Sequence, residues 1–222
     1  MNKKIILSAI AITLLGSAAV LAAQAPPAQP MSFFVTSSTP TGSGNLGGLA
    51  GADKICQDLA AAAGAGNKTW HAYLSTQAAN GVQGVNARGR IGAGPWYNAK
   101  GTMIAANNGD LHGDNQRDRN NIQKANMLDE KGVPIKGAGD MPNQHDILTG
   151  SDSDGRAFPG GLDTTCNNWT DATDDHKAML GHADRQGGGN TSWNSTHMSA
   201  GCSAPKLVQT GGAGHLYCFA IN

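Results

Sequence analysis

The amino-acid sequence predicts a single α+β domain in which short strands and one N-terminal helix are joined by long loops. Three observations support this class: a helical period of apolar residues over 52–63, strict alternation over 70–75, and a continuous apolar run over 216–221. The 31 glycines among 222 residues fall mostly between these runs, where glycine is typical of turns. With 39% hydrophobic residues the chain can bury a core, which argues against wholesale disorder.

The first 23 residues have the pattern of a secretory signal peptide. Two lysines form a positive start, an apolar run covers 5–15, and small residues follow. The alternative is an uncleaved membrane anchor, which needs about 20 apolar residues without small-residue flanks. Residues 24–31 then form a Pro/Ala-rich spacer, and 32–222 form the folded domain. The sequence therefore predicts a secreted or periplasmic protein, with no membrane insertion once the signal is removed.

Local periodicity predicts the first elements of the domain. Residues 32–37 are a short β-prone run that ends in a Gly/Ser/Thr turn cluster. Apolar positions recur at helical spacing from Ala52 to Ala63, and Gly64 is typical of a helix C-terminus. The alternation over 70–75 predicts a half-buried strand.

The rest of the chain gives weaker signals until its end. Residues 78–144 are rich in turn formers, with one short helix expected within 122–131. From His145 onward, short apolar runs alternate with Gly/Asp/Asn turns, which predicts short strands. The run over 216–221 is the strongest strand signal in the chain. No internal repeat or second linker occurs, so one domain is expected.

Four cysteines accompany the predicted signal peptide: Cys56, Cys166, Cys202 and Cys218. An even number of cysteines in an exported chain is typical of structural disulfides. Four cysteines allow three pairings, and their spacing alone does not choose among them. No C-x-x-C pair occurs, which argues against a zinc ribbon or a thioredoxin-type redox site.

Several blocks of sequence, in one order with all four cysteines, resemble the endostatin-like branch of the C-type-lectin-like fold. The blocks are Gly51-Ala52-Asp53 with Cys56, Trp70-His71-Ala72-Tyr73-Leu74-Ser75, Gly150-Ser151-Asp152-Ser153-Asp154-Gly155-Arg156, Thr165-Cys166-Asn167-Asn168-Trp169, and Cys202 with the terminal strand around Cys218. The similarity is vague between about 78 and 144, and a looser one exists to secreted bacterial proteins described as lectins. The resemblance implies nested disulfides, Cys56 with Cys218 and Cys166 with Cys202.

The resemblance also suggests where calcium-dependent sugar binding would lie. Sugar-binding members of this fold hold calcium with a Glu-Pro-Asn-type tripeptide and a Trp-Asn-Asp triplet, and the nearest stretches here are Met141-Pro142-Asn143 and Trp193-Asn194-Ser195. Each lacks a carboxylate, and calcium requires several oxygen ligands. The stretch 152–155 begins like a calcium loop but departs from the pattern at Arg156, and a polar hairpin turn explains it. We therefore predict no cofactor; the missing carboxylates argue against calcium.

Seven histidines raise the question of a metal site. No H-E-x-x-H or H-x-H arrangement occurs among them, so no shared helical face for zinc is specified. Zinc ligation by N-terminal histidines, as in endostatin, does not carry over because Pro26 and Pro27 stand there. Histidines scattered in loops are favoured, and the densest His/Asp segment, 174–184, provides the alternative of a metal-dependent hydrolase. The seven are His71, His112, His145, His176, His182, His197 and His215.

Charge and motifs exclude several function classes. With 16 basic and 16 acidic side chains the net charge is zero, whereas a nucleic-acid or polyanion surface needs an excess of Lys and Arg. No G-x-S-x-G elbow is present, and the glycine runs do not join a strand to a helix as phosphate loops do. The cysteines are better explained as disulfides than as nucleophiles. The sequence therefore predicts a protein that is not an enzyme.

Polar loops that carry aromatic residues are the remaining candidates for ligand binding. Indole and phenol rings pack on sugar faces, and amides bond hydroxyls. Trp169, by contrast, is expected to be buried beside a disulfide. We predict a secreted, non-catalytic binding module that recognises a carbohydrate or a cell-surface or matrix partner; an adhesive structural protein that binds proteins through its loops is a further alternative. The candidate ligand-binding residues are Trp96, Tyr97, Asn143, Trp193 and Asn194.

Overall fold

The computed structural model describes residues 29–114, 118–160, 162–187 and 191–222. Within these residues the chain is mixed α+β, as predicted, with eight strands, five short or medium helices and one 3₁₀ turn. The predicted signal peptide and most of the predicted spacer lie outside the described residues.

The elements follow one another as short segments, and among the described residues one helix and one strand are longer than seven residues. The strands are β1 (Phe33–Val35), β2 (Trp70–Ala72), β3 (Trp96–Tyr97), β4 (Met103–Ala105), β5 (Asp146–Leu148), β6 (Met179–His182), β7 (His197–Met198) and β8 (Gly212–Ala220). The helices are α1 (Gly48–Ala62), α2 (Ala87–Arg90), α3 (Asn108–His112), α4 (Cys166–Trp169) and α5 (Ala204–Thr210), and the 3₁₀ turn is Lys124–Asn126.

The main sheet is built around β8. Its strand order is β1–β8–β5–β6–β7, and β2 pairs with β8 as well. β5 runs parallel to the first half of β8, whereas β1 and β2 run antiparallel to its second half. Leu216 and Cys218 belong to one hydrophobic core, and Tyr217 and Phe219 belong to the other. Burial on both faces explains why this strand reads as a continuous apolar run rather than an alternating one.

The predicted helix corresponds to α1, which begins four residues earlier than expected, at Gly48. Its buried face presents Ala52, Cys56 and Ala60 to the core. Gly64 has a φ of 82° just beyond the helix, the left-handed conformation that glycine adopts at low cost. The short helix expected within 122–131 is a single 3₁₀ turn.

Two disulfides join distant parts of the chain, and both pairings implied by the resemblance are confirmed. Cys56–Cys218 links α1 to β8, and Cys166–Cys202 links α4 to the segment before α5. All four residues of α4 have positive φ, between 48° and 66°, a left-handed turn that costs roughly 1–2 kcal/mol per residue. The disulfide at Cys166 and the buried indole of Trp169, whose Nε1 donates to Ser75 O at 2.8 Å, stabilise this turn.

The structure bears on the compartment only in part. Among the described residues, no helix combines the length and apolar character that crossing a bilayer requires. Two disulfides in one domain are typical of proteins that fold in an oxidising compartment.

Candidate metal centre

The register of two neighbouring strands brings an aspartate and a histidine face to face. Asp146 of β5 pairs directly with His182 of β6 in an antiparallel ladder. Residues in direct register point to the same face of a sheet, with Cβ atoms about 5 Å apart. The two side chains therefore meet, and His182 Nε2 lies 3.2 Å from Asp146 Oδ1.

Two more histidines, His145 and His197, lie close to Asp146 Oδ1. His145 directly precedes β5, and its Nε2 lies 3.4 Å from Asp146 Oδ1. His197 of β7 faces Leu180 across the ladder, so it shares a sheet face with His182, two residues further along β6. The Nε2 atoms of His182 and His197 are 3.0 Å apart, and His197 Nε2 is 3.6 Å from Asp146 Oδ1.

Four of the six separations among these ligand atoms are close to those around a tetrahedral metal ion. Zinc binds histidine nitrogen and carboxylate oxygen at about 2.0–2.2 Å, which places neighbouring ligand atoms of a tetrahedron about 3.3 Å apart. The four measured separations run from 3.0 to 3.6 Å. Three imidazole nitrogens and one carboxylate oxygen are also ligand types that Zn²⁺ favours.

The carboxylate of Asp146 is buried without the partners that a buried charge needs. Its side chain has no exposed surface, and neither oxygen has a hydrogen-bond partner among the described residues. Three imidazole nitrogens lie 3.2–3.6 Å from Oδ1 and form ion pairs with it only when protonated. Burying an ionised carboxylate without compensation is very costly, and a bound cation at the centre of the cluster would supply the missing charge.

Contacts behind the ligands orient the rings. His145 Nδ1 lies 2.9 Å from Asp184 Oδ1, which leaves Nε2 free to bind metal. Burial raises the pKa of Asp184, but hydrogen bonds from Ala138 N, Gln186 N and His145 lower it more. The pKa of the Asp184 carboxyl is therefore below its ordinary value. The ring of His182 stacks on that of His145 with centroids 4.2 Å apart. This arrangement matches the carboxylate–histidine–metal contacts of known metal sites.

Two glycines leave space beside the cluster. Gly211 has a φ of 103°, and a Cβ there would lie 3.4 Å from His145 Nε2 and 3.1 Å from Asn143 Nδ2. A Cβ on Gly212 would lie 3.2 Å from the Cβ of Asp146. The pairing of β5 with β8 is irregular at this point, and such irregularities often re-aim side chains at functional sites.

Three of the five predicted ligand-binding side chains lie in the interior. Trp96 and Trp193 are each 1% exposed, and Asn194 is fully buried. Trp96 Nε1 donates to Ala220 O, and Asn194 Nδ2 donates to Tyr73 Oη and to the carbonyls of residues 152 and 153. Their local sequence is loop-like, but long-range packing places the side chains in the core. The two indoles are therefore part of the core, whereas Asn194 is among the residues that line a pocket with His112 and Ser153.

The other two predicted residues, Tyr97 and Asn143, are partly exposed and have different surroundings. Tyr97 is bound through its backbone to Ser32. Asn143 lies next to the His/Asp cluster, where its Oδ1 accepts from the backbone N–H of His145 at 3.3 Å. The Asn143 and Asn194 amides have different hydrogen-bond partners, which gives no support to a shared calcium site of the kind that the resemblance suggested.

The His/Asp-rich segment 174–184 is divided by the structure. His182 and Asp184 contribute to the cluster, whereas His176 pairs with Asp163 at 2.8 Å and Asp174 accepts from Ser203. The sequence reasoning missed Asp146 and treated His145 and His197 as scattered loop histidines. The available signal was weak, because polar residues flanking short β runs become neighbours only through strand pairing.

Comparison with known proteins does not assign the chain to a family. No family model matches it, and no curated protein is significantly similar to it. The endostatin-like and C-type-lectin-like resemblance therefore stays a prediction, and the cluster has to be interpreted from its own geometry.

Proposed function

We propose that the protein is a zinc-binding protein in which one Zn²⁺ ion, held by His145, Asp146, His182 and His197, fastens the edge of the sheet in an exported, non-catalytic domain. The observation that supports this most is a buried group of His145, Asp146 and His182 whose ligand atoms lie within 4.8 Å of one another, around a carboxylate that has no hydrogen bond among the described residues. His197 Nε2 lies beside this group, 3.0 Å from His182 Nε2 and 3.6 Å from Asp146 Oδ1. A closed set of four protein ligands is typical of structural zinc, whereas catalytic zinc keeps one position open.

Zinc is favoured over other cations by the donor set. Calcium and magnesium prefer six or more oxygen ligands, and this cluster offers one carboxylate. Copper(II) prefers a planar arrangement, whereas three imidazole nitrogens here lie 3.2–3.6 Å from Asp146 Oδ1 and those of His182 and His197 lie 3.0 Å apart.

Metal analysis of the purified mature protein tests the proposal. After chelator treatment, reloading with Zn²⁺ and desalting, we expect one zinc per chain in the unmodified protein. His182→Ala removes the ligand that contacts both Asp146 and His197, and we expect it to retain no stoichiometric zinc. His176→Ala is the matched control, since His176 is a partly exposed histidine paired with Asp163 outside the cluster.

Two results would contradict the zinc proposal. One is an unmodified protein that stays metal-free in a molar excess of Zn²⁺. The other is a His182→Ala variant that binds zinc as tightly as the unmodified protein while remaining folded by circular dichroism.

Recognition of a carbohydrate or a surface protein is the second candidate function, and a polar cavity away from the metal cluster supports it. The cavity has a volume of about 250 Å³ and is lined by Gln77, Asp163, Asn167 and His176 among others. Leu162 adds an exposed apolar side chain at its rim. Amides and carboxylates beside an apolar contact suit hydroxyl-rich ligands.

A glycan array tests this second candidate. The protein is applied with zinc and with chelator, beside Asn167→Ala, a substitution of an exposed lining residue. Retained sugars that are lost with Asn167→Ala would support recognition at the cavity. Binding no better than background in both conditions would exclude carbohydrate recognition on the array and leave the protein-partner alternative.

A further inference from the structure

The four ligands of the cluster differ in how well they are covered. The side chains of His145, Asp146 and His182 are 7%, 0% and 4% exposed, whereas that of His197 is 38% exposed. Three groups thus form a buried base, and the fourth closes the site from the solvent side. His197 Nε2 also has the largest measured separation from Asp146 Oδ1, 3.6 Å against 3.2 and 3.4 Å.

The strands that carry the buried groups are also better paired than the strand that carries His197. Asp146 and His182 are on β5 and β6, which pair over three residues, and β5 is itself paired with β8 on its other side. β7 pairs with β6 over two residues only and ends the strand order of the described sheet. A short edge strand opens at lower free energy than the centre of a sheet, so His197 is the ligand that can leave with least disruption.

The contacts behind the rings reinforce this difference. His145 is anchored by Asp184, which in turn accepts hydrogen bonds from the backbone N–H of Ala138, in a distant segment, and from that of Gln186 in its own loop. The Nδ1 of His197 lies 3.0 Å from the carbonyl of Met198, its own neighbour. That contact orients the ring but moves with the strand, so it does not tie His197 to the rest of the protein.

We propose that His197 is an exchangeable fourth ligand, and that a carboxylate group of an external ligand takes its place on the metal. This inference rests on the proposed zinc site. On exchange, the bond from the metal to His197 Nε2 breaks and a bond to a carboxylate oxygen forms, with no change in oxidation state. The remaining base, two histidines and one carboxylate, is a ligand set that leaves an open position in known metal enzymes.

Charge favours an anionic oxygen as the incoming group. A divalent ion bound to the single carboxylate of Asp146 and neutral imidazoles has a net charge of about +1 in this nearly buried environment, where charge is poorly solvated. Replacing neutral His197 with a carboxylate cancels that charge. A neutral donor would leave it uncompensated, so carboxylates are the class of ligand that the site is expected to take.

Cobalt substitution makes the exchange visible, because Co²⁺ at a zinc site has a visible spectrum that depends on its ligands. The full mature protein, His197→Ala and the control His176→Ala are loaded with Co²⁺ and titrated with acetate. In the unmodified protein His197 must leave before acetate can bind. The apparent affinity for acetate is therefore lowered in proportion to the small fraction of sites that are open. If the open state is populated at the roughly 1–10% level of minor conformers, we expect His197→Ala to bind acetate roughly 10- to 100-fold more tightly.

The matched variants separate the outcomes. His176, with 40% side-chain exposure, resembles His197 in accessibility, so His176→Ala should behave like the unmodified protein. A His197→Ala variant that binds Co²⁺ but shows no acetate-dependent spectrum overturns the exchange. So does one that is folded and binds no Co²⁺, because His197 would then be indispensable. An unmodified protein that binds no Co²⁺ contradicts the zinc proposal itself.

A measurement on the unmodified protein covers the case in which the variant does not fold. X-ray absorption of the zinc-loaded protein should report fewer nitrogen ligands and one more oxygen ligand at saturating acetate. An unchanged ligand set at molar acetate overturns the proposal without any substitution.

Discussion

Two buried histidine environments in this protein contrast in how their nitrogens are satisfied. His112, on the aromatic side of the sheet, has partners at both ring nitrogens: Tyr73 Oη at 2.8 Å and Asn108 O at 3.0 Å. Its ring packs against those of Tyr73 and Trp193. Burial lowers the pKa of His112 to about 4, so the imidazole is neutral and complete as it stands.

The cluster at the β5–β7 edge is satisfied only in part: His145 and His197 have partners at Nδ1, whereas His182 Nδ1 and both carboxylate oxygens of Asp146 have none among the described residues. His145, His182 and His197 direct nitrogens at one another and at Asp146, and that carboxylate has no hydrogen bond among the described residues. A core histidine is accommodated by hydrogen bonds to its neutral form, whereas several nitrogens around an unpartnered carboxylate call for a cation. Burial alone therefore does not identify a functional histidine, and neither do unpartnered nitrogens, since both ring nitrogens of the buried His215 lack hydrogen bonds among the described residues as well. What distinguishes the cluster is that several histidine nitrogens lie around one buried carboxylate.

The largest expected effect is at Asp146, and it tests whether the cluster, unlike the His112 environment, needs a cation. With Zn²⁺ at about 1,000 times its dissociation constant, the ion should stabilise the unmodified protein by about 4 kcal/mol, and Asp146→Asn should lose that increment. In chelator, the variant should be at least as stable as the unmodified protein, because it removes a buried charge without partners. Urea denaturation with zinc and with chelator measures both. A variant that still gains stability from zinc would contradict the cation interpretation.

The next largest effect concerns pH and His112. Its pKa is 6.5 when unperturbed and about 4 in the folded protein, so between these values the unfolded state binds the additional proton. The free energy of unfolding should therefore fall as the pH drops from 6.5 to 4, by roughly 3 kcal/mol from this group.

His112→Gln removes the titrating group while keeping a hydrogen-bonding side chain. We expect the variant to lose less stability than the unmodified protein over the same pH range, as measured by urea denaturation in chelator. His215, whose pKa is lowered by burial as well, is present in both proteins, so the difference between them reports His112. Equal slopes would show that His112 is not buried as a neutral imidazole.

A smaller effect is expected at Asp184, behind the cluster. Asp184→Asn weakens the contact with His145 Nδ1, which lies at 2.9 Å. Substitutions behind metal ligands typically lower metal affinity about 10- to 100-fold, and a competitive zinc titration with a chromogenic chelator measures this. Unchanged zinc affinity would show that Asp184 serves the backbone of its loop rather than the metal.

The smallest effect is expected next to His112, the histidine whose two nitrogens both have partners. Tyr73→Phe removes the hydroxyl that meets His112 Nε2 and Asn194 Nδ2, and we expect a loss of about 1–2 kcal/mol. Zinc affinity should stay as in the unmodified protein, because Tyr73 has no contact with the metal ligands among its hydrogen bonds. Calorimetry and zinc titration test the two halves; a change in zinc affinity would mean that the two histidine environments are coupled.

The parts of the structure that periodicity encodes were predictable from the sequence. The helix at α1 and the strands at β1, β2 and β8 follow from apolar spacing, which acts over a few neighbouring residues. The disulfide pairing was not derivable from spacing and came from the resemblance, and the structure confirms it. The polar loops misled the placement of Trp96 and Trp193, because loop-like flanks do not reveal which side chains fold back into the core.

The amino-acid sequence by itself determined the α+β class and the positions of the strongest elements, since each depends on composition or on local spacing. Its zero net charge also predicts that nucleic acids and other polyanions are not partners. The tertiary structure alone decided which histidines matter. His145 and Asp146 come from the start of β5, His182 from the end of β6 and His197 from β7, and their meeting depends on strand register. Register is set by long-range packing of the sheet, so residues far apart in the chain become the ligands of one site.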